Sequence, residues 1–191
     1  MKALLVVDLQ NDFCTGGALE VKDGEEIVPL INSLMPLFPL TVASMDWHPE
    51  GSVHFEKWPP HCVRQTDGAD FAKDLNTSFI RKVFLKGTES RDDGYSAFEA
   101  TNMDLANYLK SNGVDELYIT GLATDYCVKA SALDALKNGF KTYVIYDAVK
   151  AVNANDGDED KAFDEMITSG VVMIHSSEIQ NPRKGCSCCQ R

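Results

Sequence analysis

No stretch of this 191-residue chain is apolar for long enough to span a bilayer, whose core takes roughly 20 consecutive apolar residues. The opening run, Ala3 to Val7, ends at Asp8 and not at a small-residue cleavage site, so it does not read as a secretory signal. A cytoplasmic protein is expected, with its six cysteines reduced, catalytic or metal-binding rather than disulfide-paired. Basic charge is short as well. Lys and Arg number 18 against 29 Asp and Glu, giving a net charge of -11 with no basic stripe, so a nucleic-acid backbone would be repelled. A small, uncharged or cationic ligand suits such a chain better than nucleic acid or membrane, and a homo-oligomer stays open. Linkers and internal repeats are missing too, which leaves one domain over residues 1–182. A chain of about 150 residues already buries roughly 70% of its unfolded surface, so a sizeable core is expected.

Histidine is scarce, and its placement is informative. Three of the four histidines fall inside Asp46-Trp-His48-Pro-Glu-Gly-Ser-Val-His54-Phe-Glu-Lys-Trp58-Pro-Pro-His61, a segment broken by three prolines and a glycine. Carboxylate and imidazole at mixed spacing are what an open zinc, iron or manganese site needs. The plainer alternative is a set of surface histidines. The whole stretch of about 46–81 has little periodicity, and a structureless stretch of that length in a compact domain is usually functional or disordered. Cys62, directly after His61, is expected to pack inward.

Short apolar runs recur at Ala3–Val7, Leu40–Ser44, Lys82–Leu85, Leu117–Thr120, Thr142–Tyr146 and Val171–Ile174. Such runs suit strands buried on both faces. Between them lie helically spaced apolar positions, for example Ile27, Leu30, Ile31, Leu34 and Met35, or Val128, Ala132, Leu133, Ala135 and Leu136. The alternation predicts a three-layer α/β/α fold with a mostly parallel six-stranded sheet and helices on both faces. Asp8, Asp46, Lys86 and the segment Gly121–Cys127 then follow four strands, and in open parallel sheets ligands bind beyond the carboxyl ends of the strands.

Cys127 lies where a strand passes through a small-residue turn into a helix. A thiol in a first helical turn meets backbone N–H groups and the positive end of the dipole, which favour the thiolate. The same groups could hold an oxyanion. A buried structural cysteine is the alternative. Asp8 could merely cap a turn, and Lys86 could be a solvated lysine. Beside a thiol they change meaning, because a carboxylate can take the thiol proton and an ammonium can steady negative charge. A Cys–His pair using His175 is a weaker option, since no motif surrounds that histidine. The acidic run Asn155–Asp160 reads as a solvated helix start.

These pieces occur in an order that resembles the nicotinamidases (pyrazinamidases) of the isochorismatase-like cysteine hydrolases, which have a Rossmann-type sheet. The matching segments are Val7-Asp8-Leu-Gln-Asn-Asp-Phe13-Cys-Thr-Gly-Gly-Ala-Leu19, Ser44-Met-Asp46-Trp-His48-Pro, Trp58-Pro-Pro-His61-Cys-Val63, Lys86-Gly87, Tyr95-Ser-Ala-Phe98 and Gly121-Leu-Ala-Thr-Asp-Tyr-Cys-Val128. The resemblance implies a catalytic triad of Asp8, Lys86 and Cys127. It also implies a cis peptide between Leu122 and Ala123, and an oxyanion hole from the N–H groups of Ala123 and Cys127. One divalent metal, zinc before iron or manganese, is implied on Asp46, His48 and His61, with His54 favoured over Ser52 as the fourth ligand. Phe13, Trp58 and Tyr95 match aromatic walls for a flat pyridine ring. The implied reaction is hydrolysis of nicotinamide, and of pyrazinamide, to the acid and ammonia through a Cys127 thioester, as a step of NAD salvage. Rival expectations are an isochorismatase, an amidase for carbamoyl or ureido compounds, and a metal-stabilised binding module without turnover. The tail 183–191, with Cys186, Cys188 and Cys189, departs from the family pattern. It is expected to be flexible, as a short polar terminus is by default, and a soft-metal or redox role for its three cysteines is disfavoured because no second cysteine pair at zinc-site spacing accompanies it.

Overall fold

In the computed structural model, residues 1–89 and 94–180 are described, and the cysteine-rich tail lies outside them. Six strands form one sheet: β1 (Lys2–Val7), β2 (Leu40–Asp46), β3 (Ile80–Lys86), β4 (Glu116–Leu122), β5 (Lys141–Lys150) and β6 (Val172–Ile174). Their order is β3-β2-β1-β4-β5-β6, and each neighbouring pair is parallel. The expectation of a mostly parallel sheet therefore holds. The sequence run at Thr142–Tyr146 marks only the first half of β5.

The apolar pattern of β1 explains the layering. Leu4 and Val6 belong to one buried cluster, and Ala3, Leu5 and Val7 to another, because successive strand residues point to opposite faces. Helix α1 (Val28–Leu34) sets Ile31 and Leu34 onto the first face. The second face is covered by α2 (Leu105–Ser111) through Leu105 and Leu109, α3 (Lys129–Lys137) through Ala132 and Ala135, and α4 (Asp158–Ser169) through Met166. A short α5 (Ser176–Gln180) follows β6. Each fully buried Leu or Val contributes about 1.5–3 kcal/mol, so β1, whose residues from Ala3 to Val7 are all inaccessible, is a strong anchor for Asp8 at its carboxyl end.

The acidic run opens α4 as expected, placing Asp158, Glu159 and Asp160 in its first turn, where the dipole favours negative charge. Residues 47–79 carry no strand of the sheet and only three short 3-10 turns, Val53–Glu56, Asp67–Ala69 and Thr77–Phe79. Among the described residues no helix is long and apolar enough to cross a membrane.

The strand order reverses between β1 and β4, which both lie inside the sheet. A crevice opens above such a reversal, since the connections leave to opposite sides. Asp8 follows β1, Asp46 ends β2, Lys86 ends β3, and the turn that carries Cys127 comes after β4. All four converge on that crevice.

Candidate active site and metal centre

Lys86 is the hub of the buried charges. In the parallel register of β2 and β3 it stands beside Asp46, which turns an ordinary-looking Phe-Leu-Lys-Gly sequence into an interior lysine with no solvent exposure. The alternative of a solvated lysine is thereby overturned. Its Nζ donates to Asp46 Oδ1 (2.5 Å), to the Gly94 carbonyl (2.5 Å) and to Cys127 Sγ (3.4 Å), and forms an ion pair with Asp8 Oδ2 at 2.8 Å. Burial alone would lower the ammonium's pKa. Asp46 and Asp8 outweigh it, and the group stays charged well above its ordinary range.

Asp8 also accepts a hydrogen bond from Ser44 Oγ at 2.8 Å. Burial pushes its carboxyl up to about 6, with Lys86 opposing the rise and Asp46 adding to it. A carboxylate poised there can accept and return a proton near neutrality.

The turn after β4 has the cis peptide that the resemblance implies, but its first helical turn is not an α-helical one. Residues Thr124–Val128 form a π-helical turn ahead of α3, and the peptide between Leu122 and Ala123 is cis. Gly121 has φ +109°, and a β-carbon there would run into the backbone of Val7 on the neighbouring strand. The thiol of Cys127 is buried, and burial, opposed by Lys86, raises its pKa well above the ordinary value. The dipole argument for a resting thiolate fails here, because desolvation of the anion outweighs the helix terminus. The proton must be taken by a neighbour. Asp8 and Asp46 each place an oxygen within 4.8 Å of Sγ.

The histidine-rich loop folds back over this cluster. His48, His54 and His61 are all buried, with ring nitrogens within 4.8 Å of one another. His48 and His54 stack at 4.7 Å, and His61 lies edge-on to His48 at 5.0 Å. Ser52, the competing ligand, instead caps the 3-10 turn at Val53, its Oγ accepting from the His54 N–H.

The outer nitrogens show how the rings are set. His48 Nδ1 meets the Gly87 carbonyl at 3.0 Å, and His61 Nδ1 meets the Pro59 carbonyl at 2.7 Å. A carbonyl only accepts, so both Nδ1 atoms carry the proton, and in the neutral ring each Nε2 presents a lone pair. Those lone pairs face Asp46 Oδ2 at 3.6 and 3.9 Å, and His48 Nε2 is buried with no hydrogen-bond partner among the described residues. Burial also lowers the pKa of His61, favouring the neutral ring. Electron pairs converging without a proton between them, each imidazole oriented by a carbonyl behind it, fit a divalent cation. Gly87 (φ +62°) permits the approach, since a β-carbon there would strike the His48 ring.

Between thiol and imidazoles lies a cavity. Phe13, Trp58 and Tyr95 line it, as do His54, His61, Ala123 and Cys127. Trp58 Nε1 donates to Tyr95 Oη at 3.1 Å. Asp46 and Gly94, with Leu19, Tyr126 and Val152, complete the wall. Tyr126 could have been found from its place beside Cys127, where it meets Trp58 edge-on at 5.2 Å. Val152, an apolar residue beyond β5, gives no chemical signal in the sequence. His175 does not join them. It is half-exposed after the edge strand β6 and pairs with Asp147 at 3.3 Å, so the Cys–His alternative has no geometry behind it.

A family model for the isochorismatase domain matches residues 2–178. The chain is similar to a nicotinamidase/pyrazinamidase of Mycobacterium tuberculosis, 40% identical over 190 residues and covering 93% of this chain and 100% of that one. In three dimensions it is similar to the pyrazinamidase of Pyrococcus horikoshii in complex with zinc, with a TM-score of 0.83, 44% identity, and coverage of 91% of this chain and 98% of that one. It is likewise similar to PnC1 of L. infantum in complex with nicotinate, with a TM-score of 0.87, 37% identity and 93% of both chains covered.

Proposed function

The chain belongs to the isochorismatase domain family, and from that membership we propose that it is a nicotinamidase, a hydrolase that converts nicotinamide to nicotinate and ammonia in cytoplasmic NAD salvage and also accepts pyrazinamide. One observation carries the reading: the Cys127 thiol, the Asp46 carboxylate and the His54 and His61 imidazoles line one cavity with aromatic walls, with His48 grouped behind the two imidazoles and the Asp8 carboxyl, its pKa near 6, within 4.8 Å of the thiol. The relatives named nicotinamidase or pyrazinamidase, and the neighbour holding nicotinate, point the same way.

In this mechanism the aromatic walls, Phe13, Trp58 and Tyr95 with Tyr126, hold the flat ring and exclude water. Asp46, His48, His54 and His61 would hold a divalent metal, most fittingly zinc, which when bound supplies a Lewis-acid anchor for the ring nitrogen. With the ring fixed, the carboxamide lies over Cys127. Positioning of this kind can remove up to about 7 kcal/mol of barrier in favourable cases. Asp8 takes the thiol proton as sulfur bonds to the amide carbon, and the N–H groups of Ala123 and Cys127 receive the negative oxygen. Asp8 returns the proton to the departing nitrogen, and ammonia leaves. A water that gives its proton to Asp8 then cleaves the thioester, releasing nicotinate. Lys86 holds Asp8 in place and stays charged throughout. Every group named comes from one chain.

An assay of ammonia release from nicotinamide, pyrazinamide and N-carbamoyl compounds tests the substrate class. Turnover confined to the carbamoyl compounds would overturn the reading. Chelation is expected to stop turnover of nicotinamide while circular dichroism shows the fold intact, because the two apolar clusters hold the sheet without the three histidines. Unfolding on chelation would instead favour a structural metal.

The pKa of Asp8 fixes a second expectation. The base must be ionised, so kcat/KM should fall tenfold per pH unit below about 6. Ser44 stabilises the ionised form through its hydroxyl, so Ser44→Ala should move this limb to higher pH. An unmoved limb would assign it to another group.

A further inference from the structure

In the segment after β1, Gln10 and Asp12 are polar side chains that the mechanism does not use and that bond to the backbone at or beside the proposed metal ligands. Gln10 is fully buried, and its amide is fully engaged. Its Oε1 accepts the Asp46 N–H at 2.8 Å, while Nε2 donates to the Asp46 carbonyl at 2.8 Å and to the Ala69 carbonyl at 2.8 Å. One side chain thus clamps both backbone groups of Asp46 and ties them to the far end of the loop.

Asp12 acts on the other side. Its Oδ2 accepts the Cys62 N–H at 2.7 Å, and Oδ1 accepts the Ala18 N–H at 3.2 Å. Cys62 has φ +45°, in the left-handed region that a residue with a β-carbon rarely adopts. This turn aims His61, and the Cys62 carbonyl accepts the His48 N–H at 3.0 Å. Displacing it would move two imidazoles together. Gly68 stands against the Asp12 carboxylate, where a β-carbon would collide with it.

We propose that Gln10 and Asp12 are positioning residues for the metal centre, Gln10 fixing Asp46 and Asp12 fixing the His61–Cys62 turn. Asp8-Leu-Gln10-Asn-Asp12-Phe13 then serves both halves of the site: residues 8 and 13 face the reaction, and residues 10 and 12 hold the cation ligands in register with it. Partners behind the ligands of a metal typically change its affinity 10–100-fold when lost. The inference rests on the reading of Asp46, His48 and His61 as ligands.

The test is zinc titration of the chelator-stripped full-length protein against a chromophoric chelator. Alkylation of Cys127 by iodoacetamide in the stripped protein reports separately on the triad. Gln10→Met and Asp12→Ala are expected to weaken zinc binding 10–100-fold while the alkylation rate stays within about threefold of wild type. Asp12→Asn, whose amide oxygen can still accept the Cys62 N–H, is expected to recover most of the affinity. Zinc affinity within about threefold of wild type in folded Gln10→Met and Asp12→Ala would overturn the proposal, as would a loss in Asp12→Ala that Asp12→Asn does not recover. If Gln10→Met does not fold, the Asp12 pair decides. Wild-type protein that takes up no zinc would sink the ligand reading itself, a failure distinct from that of tight but unaffected variants.

Discussion

Cys127→Ala should lower ammonia release from nicotinamide by about 10⁴-fold or more while leaving ring binding in place. The two halves of this expectation come from different parts of the cavity. In the proposed mechanism the ring is held by the aromatic walls and the imidazole end, none of which takes part in the thiol chemistry. The reaction needs a sulfur that can form a bond to carbon, and no other thiol lines the cavity among the described residues. Calorimetric titration with nicotinamide should give a dissociation constant close to that of the wild type. Release of ammonia in a coupled assay should approach the no-enzyme background. Substantial turnover in the variant would exclude the thioester route and turn attention to direct attack by water. A loss of binding equal to the loss of turnover would mean that Cys127 shapes the pocket and does not act as nucleophile.

The substitution also bears on the thiol's resting state. A permanent thiolate beside Lys86 would make the alanine variant lose an ion pair. Burial instead keeps the thiol protonated, so the variant loses a neutral group, and its stability should change little. Iodoacetamide alkylation of Cys127 in the wild-type protein should accordingly be slow near neutral pH and rise with pH, whereas a low-pKa thiolate would react at a rate that no longer changes with pH there.

The fold was legible where strands are buried on both faces. β1 and β2 are apolar nearly throughout and stand out as continuous runs. The second half of β5 does not, since Tyr146, Asp147 and Lys150 interrupt its apolar character. In the site, the histidine cluster and the residue types after each strand were visible because scarce, chemically specialised side chains recur at strand ends. Burial was not visible. It reverses the expected thiol charge, holds Asp8 near 6 and makes Lys86 an interior ion, and each of these depends on register and packing. Val152 belongs to the cavity only because its loop is carried there. The Asp125 carboxylate accepts the N–H groups of Val152 and Asn153 at 3.0 and 2.9 Å, a contact across more than 25 residues that periodicity cannot reveal.

Lys86→Met should be the most destabilising single change in the site, by about 3–5 kcal/mol in the metal-free protein at pH 8. Methionine fills much the same volume, so packing is nearly conserved and the loss is electrostatic. Without the ammonium, Asp8 and Asp46 retain buried carboxylates within 4.8 Å of each other and no cation between them. One of the two must then be protonated or unfold the site. Asp8 is the one to take the proton, since burial already raises it to about 6 from an unfolded value of 3.8. The sign follows from that shift. A carboxyl with a raised folded-state pKa binds its proton more tightly in the native protein, so its contribution to stability is complete below the unfolded value and is lost as pH climbs through the folded one. In wild type this loss is limited to the window between about 4 and 6, because Lys86 holds the folded-state value down to about 6 and above it both states are ionised. In the variant the window extends upward. The penalty of Lys86→Met should therefore be largest at pH 8 and shrink markedly by pH 5.5, where a proton replaces the missing cation. Urea denaturation of stripped wild type and variant at the two pH values measures both numbers. An equal penalty at pH 8 and pH 5.5 would show that Lys86 acts through packing, and that the carboxylates on either side of it are not coupled by its charge.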